Sequence, residues 1–66
     1  MTDHIIEYLQ WVSRLLQRQY NMTAETTVKI IKNSGIVQIA CNNPDMFLHD
    51  PIEQWVEALY QYYLHN

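Results

Sequence analysis

The residues of this 66-residue chain able to do acid–base, nucleophilic or metal chemistry are few: His4, His49 and His65, the lone Cys41, and seven carboxylates. A structural zinc site draws on about four closely spaced ligands. No His-x-x-x-His or Cys-x-x-Cys spacing occurs, and two of the histidines stand near the chain ends. Asp45, His49 and Asp50 are close in sequence, but three polar residues in such a stretch ordinarily serve as turn and cap residues. We therefore expect no metal. Cys41 and His49 form the one cysteine–histidine pair with the separation to meet in space. A cysteine following Ile36-Val37-Gln38-Ile39-Ala40 reads instead as a small buried apolar filler, because a reactive thiol needs an electropositive, partly exposed setting. Glu53 and Glu57 lie one helical turn apart on a wet face, with nothing apolar to raise one pKa as an acid–base pair requires. A single glycine, Gly35, leaves no glycine-rich phosphate loop. The sequence thus carries no catalytic residues and no cofactor site, and the expectation is a protein that is not an enzyme.

Residue types suited to protein recognition are better represented. Two tryptophans and five tyrosines in so short a chain exceed what a thin core can enclose, and Trp, Tyr and Arg dominate binding hot spots. Trp11 with Arg14 and Arg18 makes one candidate partner-binding patch. Tyr60 and Tyr62 with Glu53 and Glu57 make another. Trp55, in the middle of an apolar stripe, is expected in the core. His49, within the stretch Phe47 to Trp55, is expected to hydrogen-bond the loop backbone or Asp50, with partner binding as its alternative role.

Charge is unevenly divided. Four bases and three acids precede residue 33, whereas Asp45, Asp50, Glu53 and Glu57 follow it with no base, so a half of net charge +1 meets one of −4. The acidic half suits a basic partner. The bases Arg14, Arg18, Lys29 and Lys32 would suit a helix-turn-helix regulator with Lys29 and Lys32 on the reading helix, but four bases are few beside the phosphate contacts that drive such binding. Nucleic-acid binding is the alternative reading.

These side chains must be positioned by short helices. From Asp3 to Tyr20 no glycine or proline intervenes, and Ile5, Tyr8, Leu9, Val12, Leu16 and Tyr20 fall within an arc of roughly 120° at helical spacing. Thr2 or Asp3 can cap its start. Trp11 lies well outside the stripe, beside Glu7, Arg14 and Arg18. Asn21-Met22-Thr23 reads as a capped entry to a second helix carrying Ala24, Val28 and Ile31 and stopped at Gly35. The β-branched runs Thr26–Ile31 and Ile36–Ala40 leave an alternative, an αββα order with a hairpin at about 26–41. Asn42-Asn43-Pro44-Asp45 reads as a loop. Asp50, Pro51 and Glu53 then announce a last helix with cap, first-turn proline and capping-box acid, on which Ile52, Trp55, Val56, Leu59 and Tyr63 form the buried stripe. The expected fold is an all-α single domain over 1–66, a bundle of three to four helices.

A chain this size buries only ~60% of its unfolded surface, and one cysteine allows no internal disulfide. With no basic-then-apolar leader and no apolar run approaching the ~18 residues of a membrane span, the expected setting is the cytoplasm, with no membrane.

The order of these elements, with Asn21-Met22-Thr23, Gly35-Ile36, Leu48-His49 and the closing helix from Ile52, resembles a family of small bacterial proteins of unknown function encoded beside toxin-like genes. The resemblance spans nearly the whole chain, although Asp50-Pro51 starts the last helix directly where the family pattern has a longer polar turn. It implies an all-helical antitoxin or regulatory partner of a toxin-like protein. It transfers no catalytic residues. Together with the surplus aromatics, it leads us to expect a protein partner and self-association into a homo-oligomer.

Overall fold

The computed structural model describes residues 3–65, which form five helices: α1 (Asp3–Tyr20), α2 (Ala24–Asn33), α3 (Ile36–Asn42), α4 (Pro44–His49) and α5 (Ile52–His65). Helix accounts for 87% of them, with no strand among the described residues. The all-α expectation holds, and the hairpin alternative does not. The helix count is five rather than three to four. The expected cap at Thr2 lies outside the described residues, and Asp3 is already in the first turn of α1.

α1 is the spine. Eighteen residues at about 1.5 Å each nearly match the 28 Å long axis of the molecule. Its Ile5, Leu9, Val12 and Leu16 are buried, and α5, α2 and α4 all pack on it. Ile30, Ile36, Ala40, Phe47, Val56 and Leu59 complete a core to which every helix contributes.

The β-branched run of α2 becomes helical for local and tertiary reasons. Thr23 caps it, its hydroxyl accepting the Thr26 N–H at 3.1 Å. Thr27 is fully buried, at 0% exposure, yet its hydroxyl donates to the Thr23 carbonyl at 2.9 Å, so burial strands no polar group. The buried face differs from the expected one. Thr27 and Ile30 point inward, whereas Ala24 is exposed and Val28 is 47% exposed. The helix is rotated because Thr27, Ile30, Ile31 and Ser34 form a better continuous i, i+3, i+4, i+7 face once threonine can satisfy its own hydroxyl.

Two tight junctions link α2, α3 and α4. Gly35, at φ 84°, starts α3 directly after α2, a left-handed conformation that costs glycine little. Asn43 ends α3 and begins α4: its N–H donates to the Ile39 carbonyl at 3.1 Å and its own carbonyl accepts the Phe47 N–H at 3.0 Å. Asn42 to Asp45, expected as a loop, is therefore the last residue of one helix, a one-residue joint, and the first two residues of the next. Pro44 suits that first turn because its missing N–H would have no helical partner there.

Candidate protein-interaction surface

Packing of α4 on α1 builds the first surface. Phe47 is buried, with its ring 4.8 Å from that of Tyr8 in an edge-on arrangement and 4.9 Å from that of Trp55. The Tyr8 hydroxyl donates to the Asp50 carbonyl at 2.9 Å, tying α1 to the joint between α4 and α5. Burial pushes the Tyr8 phenol above its ordinary pKa of 10.0, and the negative charges of Asp50 and Glu53 push it the same way. Asp50 thus serves through its main chain. Its carboxylate makes no hydrogen bond to the first turn of α5 among the described residues, where the Gln54 N–H instead donates to the Pro51 carbonyl at 3.0 Å.

Beside this anchor, Trp11 stands 48% exposed. The Arg14 guanidinium carbon lies 5.3 Å from the centre of its ring, within cation–π range. His4, Glu7, Tyr8 and Trp11 from α1 and Leu48 from α4 line a groove of about 380 Å³ next to it. Arg18 is exposed one helical turn beyond Arg14 and forms no ion pair with a described residue. The sequence signal for this patch was the departure of Trp11 from the buried stripe. Nothing in the pattern indicated Leu48 as the opposite wall, since that depends on where α4 lands.

The other candidate residues are more dispersed. Glu53 and Glu57 are exposed on α5. Tyr60 is half-buried and stacked on Tyr20 with ring centres 3.7 Å apart and planes 8° from parallel. Tyr62 is half-buried, and its hydroxyl donates to the Asn33 carbonyl at 3.1 Å, closing the end of α2. Both tyrosines thus join helices within the fold and offer only their remaining edges. On the same helix Tyr63, expected in the stripe, is 46% exposed, on the wall of a hollow that it shares with Thr26, Lys29, Ile30 and Asn33 of α2. His49 ends α4, exposed and without the expected hydrogen bond to the loop backbone or to Asp50. A histidine there is well placed relative to the negative end of the helix.

Cys41 corrects the expectation of a buried filler: it is exposed. α3 buries Ile36 and Ala40, and a position about 100° further round the helix than Ala40 faces solvent. No group of three His, Cys, Asp or Glu able to hold a metal occurs among the described residues. The one ion pair among them joins Lys29 to Glu25 at 3.7 Å along α2, so Lys29 is engaged within its own helix. No described helix is long and apolar enough to cross a membrane. Comparison with protein-family models, curated proteins and solved structures finds no match.

Proposed function

We propose that this chain is a non-catalytic protein-interaction module acting as the antitoxin or regulatory partner of a toxin-like protein in the cytoplasm. The observation that carries the reading is the half-exposed Trp11 with Arg14 held over its ring, beside an apolar groove closed by Leu48. A large indole left in water, oriented by a guanidinium and set next to a concavity, has the composition and shape of an interface anchor. Arg18 extends the patch. His49 follows Leu48 directly in sequence, and the exposed Glu53 and Glu57 supply acid for a basic partner. The resemblance to small bacterial proteins encoded beside toxin-like genes supplies the partner class.

Co-expression with the product of the adjacent gene, followed by affinity capture and titration, tests the proposal. Trp11→Ala is expected to weaken binding by at least ~30-fold, about 2 kcal/mol, with its helical circular dichroism signal retained. Wild-type affinity in the variant, or no complex with the native chain, would refute the assignment. Salt-sensitive binding to duplex DNA that is lost when Lys29 and Lys32 become glutamine would replace it with the nucleic-acid reading.

A further inference from the structure

A hollow of about 320 Å³ lies between α2 and the end of α5. Thr26, Lys29, Ile30 and Asn33 line one side of it. Their i, i+3, i+4, i+7 spacing means that a single face of α2 turns toward the hollow. Tyr62 and Tyr63 form the facing wall. The Tyr62 hydroxyl, donating to the Asn33 carbonyl at 3.1 Å, bridges the two helices and fixes the width of the space between them. Tyr63 is the outermost of a run of rings, with its centre 6.5 Å from that of Tyr60, which itself stacks on Tyr20 at 3.7 Å. Ile30, a core residue only 5% exposed, lies at the base.

The polar groups of the α2 wall are mainly donors. Lys29 brings the charge. The Thr26 hydroxyl accepts from the Thr23 hydroxyl at 2.9 Å, which leaves its own hydrogen to give. The Asn33 side-chain amide makes no hydrogen bond to a described residue, while the Asn33 main-chain carbonyl is occupied by Tyr62. No carboxylate lines the hollow. Glu25, outside it, lies 3.7 Å from the Lys29 Nζ, and both side chains are well exposed, so that ion pair is weak and readily exchanged.

A cation and a hydroxyl donor on one wall, with phenol rings on the other, fit a flat ring that carries an anion. Side chains on a helix lean toward its N-terminus, which sets the Lys29 ammonium over Thr26. Asn33 lies roughly 10 Å further along α2 at helical rise, too far to share one carboxylate with Thr26, and so meets a polar atom at the other end of the ligand. One lysine balances one negative charge. The volume is at the lower end of the ~300–1,000 Å³ of small-molecule sites, enough for one ring or two fused rings and too little for a whole nucleotide.

We propose that this hollow binds a planar aromatic monocarboxylate, its carboxylate on Lys29 and Thr26, its ring against Tyr62 and Tyr63, and a polar ring substituent on Asn33. The site shares no residue with the groove beside Trp11, so it stands or fails separately from the partner reading.

Titration of the isotope-labelled full chain with para-hydroxyphenylacetate, followed through amide NMR shifts, tests it. Saturable shifts are expected over residues 26–33 and 60–64, with a Kd of about 5 mM or tighter. Acetate, which lacks the ring, and para-hydroxyphenylacetamide, which lacks the charge, are each expected to bind at least about fivefold more weakly. Lys29→Gln is expected to lose at least about fivefold with its helical signal retained, whereas Lys29→Arg keeps binding. Glu25→Gln is expected to tighten binding by about twofold, because it removes the competing partner of Lys29. Trp11→Ala is expected to bind as the native chain does. The absence of saturable shifts by about 20 mM, equal binding of the amide, undiminished binding by Lys29→Gln, or the largest shifts at the Trp11 face overturns the proposal. Tighter binding of adenosine monophosphate than of the carboxylate also overturns it, in favour of a phosphate site.

Discussion

Tyr8 and Trp55 illustrate opposite ways of burying a polar aromatic. The Tyr8 hydroxyl reaches the Asp50 carbonyl across 42 residues of sequence, whereas the buried Trp55 Nε1 has no hydrogen-bond acceptor. A stranded donor of that kind costs about 1–3 kcal/mol, which the core accepts because the indole also covers Phe47. The Tyr8 bond is pH-sensitive in a defined direction. Its phenol ionises above 10.0 in the fold, so with rising pH the unfolded chain gives up this proton first. The folded state then binds more protons, and stability present below about pH 10 is lost as pH climbs through the higher folded value. Urea unfolding at pH 8 and above pH 10 should show a steeper loss for the wild type than for Tyr8→Phe, which at neutral pH should cost about 1 kcal/mol. Parallel pH profiles would disprove this role. Tyr8 was legible as a stripe residue, but its acceptor was not, because no sequence rule brings Asp50 to α1.

Among the elements, those with strong local signals were legible. α1 follows from its uninterrupted apolar period, the entry to α2 from Thr23, and α5 from its stripe as far as Leu59. α4 was not legible, since Asn42 to Asp45 has loop composition and the helix that Pro44 begins has six residues. Such a helix is marginal alone; burying Phe47 against Tyr8 and Trp55 holds it. The break between α2 and α3 rests on Gly35, at φ 84°. An added Cβ there meets nothing within 4 Å, so Gly35→Ala isolates the backbone term. It should destabilise by about 1–2 kcal/mol, measured by chemical denaturation, without loss of helical signal in the folded state. A neutral result would mean that the joint adjusts its geometry.

The whole molecule has a radius of gyration of 11.0 Å, close to the ~10.8 Å expected of a compact chain of its length. With so thin a core, net stability should be of the order of 3–10 kcal/mol, and any added interface will be a large fraction of it. The sequence by itself determined the first and last helices, the inward faces of α1 and most of α5, and the marginal place of Trp11, because apolar periodicity and capping act within a few residues of chain; the structure chose helix over hairpin at about 26–41. The tertiary structure decided the inward face of α2, the existence of α4, the exposure of Cys41, the internal duties of Tyr60 and Tyr62, and the placing of Leu48 beside Trp11. Each of those depends on contacts between residues far apart in sequence, whose energies no local pattern contains.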